Sequence, residues 1–274
     1  MPGCLSKAER WRAIAAVAVA GLLAGCAAGP KPPPYPAFVR VDALPDVFLA
    51  ALPGSRAKQL AGDPESRRSS NLVVLPPDWS FGTGASPDKS LEIYVLAGRL
   101  RLGELTLEPG GYAFVPAGNF GMTLATDGGA RILYFLDAAN PASVIQTPMI
   151  LHRDQIQWQP LSEDPADRGT WIKELRADPG SGARTWLTMV EPGATVAWRR
   201  ASVAEEGLLL EGSYRHSECV DGQAYTGSYE PIGYYYRPPE ALHGGPDSGA
   251  DGNAVWFVRR LASASVSTAP GCLP

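Results

Sequence analysis

Two ionisable side chains, Glu206 and His243, bound the stretch best suited to chemistry: Glu206-Gly-Leu-Leu-Leu-Glu-Gly212, a spacer, then Gly233-Tyr-Tyr-Tyr-Arg-Pro-Pro-Glu-Ala-Leu-His243-Gly-Gly. A carboxylate and an imidazole brought within hydrogen-bonding reach can act as general acid and base. Tyr234 and Tyr236 are two apart and share one face of a strand, with Arg237 on the other. Phenols beside a carboxylate and an imidazole make a small-ligand pocket; aromatic residues on an inner face are equally a plain core. The spacer adds His216 and Cys219. With 3 histidines and no Gly-x-Ser-x-Gly, no nucleophilic triad stands out.

These residues sit in the second copy of an internal repeat. Lys58-Gln-Leu60-Ala-Gly-Asp63-Pro64 matches Lys173-Glu-Leu175-Arg-Ala-Asp178-Pro179, and at the same offset Leu72 meets Leu187 and Pro77 meets Pro192. Glu92-Ile-Tyr-Val-Leu-Ala-Gly98 then matches Glu206 to Gly212, and Glu108-Pro-Gly-Gly-Tyr112-Ala-Phe-Val-Pro116 matches Glu230 to Pro238. Between these two matches the second copy carries an insertion holding His216 and Cys219. A unit this long implies two copies of one domain rather than a solenoid. We place them at residues 37–150 and 151–274. Both are built of short apolar or alternating runs cut by Gly and Pro, such as Leu72–Leu75, Ile93–Leu96, Tyr112–Val115, Leu187–Val190, Leu208–Leu210 and Ala254–Val258. The pattern predicts an all-β chain of repeated hairpins, a sandwich or a small jelly-roll barrel, with only Pro45 to Leu52 hinting at helix.

Composition agrees: 45% hydrophobic and 19% charged residues, with 26 Pro and 30 Gly, suit a folded chain of many turns. Lys7, Arg10 and Arg12 precede an apolar run from Ala13 to Ala24 that is too short to span a bilayer, followed by Leu23-Ala-Gly-Cys26. This order resembles the bacterial lipoprotein signal, residues 1–25, in which Cys26 is acylated and becomes the mature N-terminus; the other readings are an ordinary secretory signal and a tail anchored by its apolar run. Residues 26–36 form a Pro-rich linker that holds a domain off the membrane. Ala27 stands where the lipoprotein family's retention signals place Asp, so the resemblance implies the outer rather than the inner membrane, at the periplasmic face. Loss of the signal moves the formal charge from −4 to −6, and no basic patch with interleaved aromatics points to nucleic acid. Once Cys4 leaves with the signal and Cys26 is lipidated, Cys219 and Cys272 remain, as a disulfide in an oxidising compartment or as two free thiols.

An acidic residue six positions before a strand-closing Gly, then a second Gly, an apolar strand, Pro and His, resembles the two motifs of the cupin superfamily. The resemblance covers nearly the whole mature chain and implies two tandem cupin jelly-roll barrels. Tyr-Tyr-Tyr-Arg-Pro-Pro followed by His-Gly-Gly-Pro, with Asp178-Pro-Gly-Ser-Gly-Ala-Arg-Thr-Trp186, is similar to an uncharacterised two-cupin family and to the cupin half of zinc-binding anti-sigma factors. Metal cupins present His-x-His and Glu from the first motif and His from the second. Here the His-x-His positions fall near Arg200 and Ser202, while Glu206 and His243 remain. In the first copy only Glu92 is kept, and Gly121 takes the last histidine's place. The resemblance thus implies a metal-free first barrel and a second barrel that holds Zn, Fe or Mn only if His216, Glu205 or Glu218 joins Glu206 and His243.

Cupins host unrelated activities, so function is not given by fold. The leading expectation is an envelope-anchored, non-catalytic lipoprotein binding a small molecule or an envelope protein through Glu206, His216, Tyr234, Tyr236 and His243. The alternatives are a metal-dependent dioxygenase or isomerase working from the second barrel, and an assembly module of two fused barrels.

Overall fold

In the computed structural model, residues 35–273 are described, apart from 64, 66, 67, 120 and 164. Cys26, the signal and most of the linker lie outside them. The described chain is almost wholly β, arranged as two jelly-roll barrels of a large and a small sheet each.

In the first barrel the large sheet runs Met149–His152, Gly111–Val115, Lys89–Gly98, Ala130–Ala138, Arg68–Leu75, Arg56–Asp63, and the small one is built from Trp79–Gly82, Thr123–Thr126, Leu100–Leu102 and Leu105–Leu107. The second barrel repeats the order: Val39–Arg40, Gly233–Arg237, Glu205–Glu211, Ala254–Arg260, Arg184–Val190, Thr170–Ala177, Gln159–Pro160, over a small sheet of Gln223–Tyr229, Tyr214–Val220, Leu242–His243, Trp198–Ala201 and Val266–Ala269. Each copy takes its edge strand from elsewhere in the chain. Val39–Arg40, at the start of the first copy, pairs with Gly233–Tyr234 of the second barrel, and Met149–His152, at the junction of the copies, pairs with Gly111–Phe114 of the first. A cut at residue 150 falls inside that latter strand.

Period-two alternation sorts side chains into three apolar layers. Leu91, Ile93, Val95, Ala113 and Val115 point into the first barrel, which they fill with Leu75, Leu100, Leu124 and Ile132. Their neighbours Tyr94, Tyr112, Phe114, Leu133 and Phe135 point the other way and meet Leu175, Leu187, Leu208, Tyr234 and Phe257 of the second copy, joining the two large sheets face to face. Phe135 and Phe257 stack across this layer with centroids 5.5 Å apart. The repeat-matched pairs Leu60 and Leu175, Leu72 and Leu187 all lie here. The third layer, with Trp186, Leu209, Tyr214, Tyr235 and Trp256, is the interior of the second barrel.

Pro45 to Leu52 is not helical. Val47 makes an isolated bridge to Ala57, and Leu49 and Leu52 pack onto the first barrel's core, so the segment is fixed by tertiary contacts. The insertion lengthens the second copy's hairpin into two seven-residue strands, Tyr214–Val220 and Gln223–Tyr229, against three-residue strands in the first copy. Cys219 on this hairpin is disulfide-bonded to Cys272.

Candidate functional site

The two barrels differ most in what fills them. Two cross-strand pairs make the difference. In the first barrel Leu91 faces Val115 and Ile93 faces Ala113; at the same places the second barrel has Glu205 facing Arg237 and Gly207 facing Tyr235. Gly207 is required by its neighbour, because a Cβ there would lie 2.5 Å from the Tyr235 ring. An apolar plug has been exchanged for an ion pair and a phenol, and a cavity of about 150 Å³ opens beside them. Trp186, Tyr214, Tyr235 and Trp256 form its aromatic wall, and Arg199, Glu205, His216, Arg237, His243 and Arg260 its polar one.

The polar groups are tightly engaged. Arg237 donates from Nε and Nη2 to Glu218 Oε1 at 3.0 and 2.9 Å and from Nη1 to Glu205 Oε1 at 3.3 Å. Its guanidinium lies over the Tyr235 ring, 3.5 Å from the centroid. Glu205 also accepts from Tyr235 at 2.8 Å and from Arg260 Nε at 2.9 Å. Burial raises the Glu205 pKa, but Arg260 and Arg237 outweigh it and hold the carboxyl below its usual range. Glu218 accepts a further bond, 2.6 Å, from Tyr35 at the start of the described chain. Arg199 donates from Nη2 to Asp167.

His216, from the inserted hairpin, and His243 meet with Nε2 and Nδ1 3.3 Å apart. Burial, then the nearby Arg237, pushes both imidazole pKa values well below the ordinary value, so both rings are neutral at pH 7. Two atoms on residues lining the cavity are buried without a partner: Arg199 Nε and His216 Nδ1. Buried polar atoms are normally satisfied, so each exception calls for an explanation, a bound water, ion or ligand among them.

His216 and His243 therefore come together as expected residues of one site, but Glu206, Tyr234 and Tyr236 do not join them. Glu206 faces the other barrel, where it accepts from Ser70 of the first copy at 3.0 Å and from Tyr234 at 2.7 Å. Glu92 does the mirror-related thing, accepting from Tyr112 at 2.6 Å and from Thr185 of the second copy. Tyr234 is buried between the barrels, and the partly buried Tyr236 packs against the same layer. The register from Glu205–Arg237 to Leu208–Tyr234 is unbroken, so Glu205, Gly207, Tyr235 and Arg237 share the inner face and Glu206, Tyr234 and Tyr236 the outer one; the motif resemblance had put Glu206 on the inner face. Arg237, expected to point away, is the centre of the site. One available signal was missed: aligning the copies shows Leu91, Ala113 and Val115 replaced by Glu205, Tyr235 and Arg237, all on one face.

A search of solved structures places this architecture among cupins. A Nostoc punctiforme protein described as a "putative dioxygenase" is 22% identical over 89% of this chain and 90% of its own, with a TM-score of 0.66. YlbA from E. coli is 15% identical over 81% and 88%, TM-score 0.64. A mutant of Bacillus subtilis oxalate decarboxylase is 15% identical over 84% and 78%, TM-score 0.55. At these identities the likeness is one of fold, two tandem cupin barrels. The model of the family described as Domain of unknown function (DUF4437) matches residues 50–266. The chain belongs to the DUF4437 family. No curated protein matches it.

The divalent metal implied by cupin resemblance can be tested against the donors of this DUF4437 chain. Two imidazole nitrogens stand 3.3 Å apart, but Glu205 and Glu218 are each spent on guanidinium groups, with Arg237 between them. Among the described residues no group of three or more His, Cys, Asp or Glu is arranged to hold an ion. The sulfurs of Cys219 and Cys272 are bound to each other. The residues as arranged do not fit a metal.

Proposed function

We propose that the second barrel is a receptor cavity for a small organic carboxylate, which it binds without chemical turnover, in a protein tethered to the cell envelope through Cys26. The observation that carries this reading is the pair of unpartnered buried atoms, Arg199 Nε and His216 Nδ1, on residues lining one aromatic-walled cavity. A guanidinium N–H is always a donor, so its missing partner is an acceptor, and a carboxylate is the acceptor that arginine geometry matches best. A cavity of about 150 Å³ suits a body of benzene size. Aromatic walls favour a flat one.

Binding rather than catalysis is supported by the fixed state of both carboxylates. Glu205 and Glu218 already accept two or more charge-assisted or phenolic hydrogen bonds each, which leaves neither as a free base. Oxalate decarboxylase by its name acts on a small dicarboxylate, the same ligand class on the same fold. The envelope address rests on the N-terminal order of basic residues, apolar run and Cys26.

The test is thermal denaturation and titration calorimetry with benzoate, furoate, oxalate and other small acids, on the parent and on Arg199→Met. A ligand at 100 times its Kd stabilises the protein by about 2.7 kcal/mol. A shift with one flat acid, absent with its amide and lost in Arg199→Met, is expected. If no acid moves either protein, the reading fails.

A further inference from the structure

The mismatch between the site and a metal has a definite cause. We infer that Arg237 is a built-in substitute for a metal cation: its guanidinium fills the space between Glu205 and Glu218, excludes a divalent ion, and occupies the two carboxylates that His216 and His243 would need as co-ligands. Two carboxylates hold it, and two imidazoles lie beside the second of these. Arg237 Nη1 is 3.3 Å from Glu205 Oε1 and Nη2 is 2.9 Å from Glu218 Oε1. His216 Nε2 lies 3.9 Å from that same Glu218 oxygen and 3.3 Å from His243 Nδ1.

Two ligand atoms on one tetrahedral zinc, each about 2.0–2.1 Å from the ion, stand about 3.3–3.4 Å apart. The two imidazole nitrogens already have that separation. What keeps an ion away is charge and occupancy. A guanidinium does not lose its proton, so the cation persists at every physiological pH. Arg199 and Arg260 line the same cavity and add to the repulsion. The Tyr235 ring lies against the Arg237 guanidinium, 3.5 Å from centroid to carbon, and helps to hold it in place. The first barrel supplies the contrast: it has Val115 at the Arg237 position and Leu91 at the Glu205 position, both packed in its apolar core.

The experiment uses the full-length protein in detergent, purified without chelator or affinity metal, as parent, Arg237→Met, Arg237→Lys and Arg237→Met combined with His216→Ala. Each is titrated with Zn(II) and Mn(II) by calorimetry, with Co(II) as a visible reporter of imidazole and carboxylate ligation, and melted with and without metal. The parent and Arg237→Lys should take up no stoichiometric ion. Arg237→Met should bind about one ion per chain, melt at higher temperature with metal, and lose both properties when His216 is also replaced. Should Arg237→Met be unfolded without metal, refolding on addition of Zn(II), Mn(II) or Co(II) supports the inference. Failure of all three to refold it overturns the inference. So does a folded Arg237→Met that binds nothing, or a parent that binds one ion in a His243-dependent way. The inference does not rest on the carboxylate reading: acid binding to the parent and metal binding to Arg237→Met can each fail alone.

Discussion

The neutral histidine pair makes the second barrel acid-sensitive in a predictable window. Both His216 and His243 have folded-state pKa values well below 6.5, through burial first and the positive arginines second. Below about pH 6.5 the unfolded chain therefore takes up protons that the native state refuses, and stability falls with falling pH until the folded pKa is reached. For each ring that stays neutral at pH 5, the loss between pH 7 and pH 5 is about 2 kcal/mol, and for both about 4 kcal/mol. For a domain of this size that is a fall in Tm of roughly 8–16 °C. The depressed carboxyls of Glu92 and Glu205 act elsewhere on the scale: their contribution is present above about pH 4.5 and lost as pH drops through their lower folded values. Urea and thermal unfolding at several pH values between 7.5 and 5, on the parent and on His216→Gln with His243→Gln, separate the two windows. The parent should lose stability below pH 6.5 and the double variant should lose about 4 kcal/mol less over the same interval. A parent whose midpoint does not move between pH 7 and 5 would refute the buried neutral pair.

Glu205→Leu restores the residue found at the matching place in the first barrel, yet it should destabilise by about 3–5 kcal/mol, because Arg237 and Arg260 lose a buried partner; chemical denaturation reads it, and a neutral result would mean the network is not buried as described. Replacing Cys219 and Cys272 by Ala releases a cross-link between residues 53 apart and should cost about 4 kcal/mol on the chain-entropy argument, measured against the parent with and without reductant. Cys26→Ala should move the protein from the membrane to the soluble fraction of the envelope; retention in the membrane would count against the lipid anchor.

Much of the architecture was readable because core positions repeat. Leu60 and Leu175, Leu72 and Leu187, Glu92 and Glu206, Tyr112 and Tyr234 could be paired by eye, and all eight meet between the barrels. Strand parity was not readable, because adjacent Glu205-Glu206 and Tyr234-Tyr235-Tyr236 place the same residue type on both faces of their strands. For the same reason Glu206 stood in for Glu205, and Tyr234 and Tyr236 for Tyr235 and Arg237. The exchanged edge strands were also hidden, since Val39–Arg40 carries no mark of pairing with a strand nearly two hundred residues away. His216 was legible as part of an insertion, but its meeting with His243 depended on how the long hairpin folds back.

The two copies suggest a rule for internal duplications of this kind. Positions that stay alike hold the copies together: Glu92 with Tyr112 and Thr185, and Glu206 with Tyr234 and Ser70, are the same device used twice, each carboxylate reaching a hydroxyl of the other barrel. A change in one of these would have to be matched across the interface. Positions inside a barrel face only their own copy, so Leu91–Val115 and Ile93–Ala113 could become Glu205–Arg237 and Gly207–Tyr235 without disturbing the partner. The differences come as cross-strand pairs: Arg237 needs the Glu205 carboxylate opposite it, and Tyr235 would clash with any side chain larger than glycine at 207. One barrel is filled by apolar side chains at these places while the other is hollow and polar, and it is in this unlike set, centred on Arg237, that a ligand would be recognised.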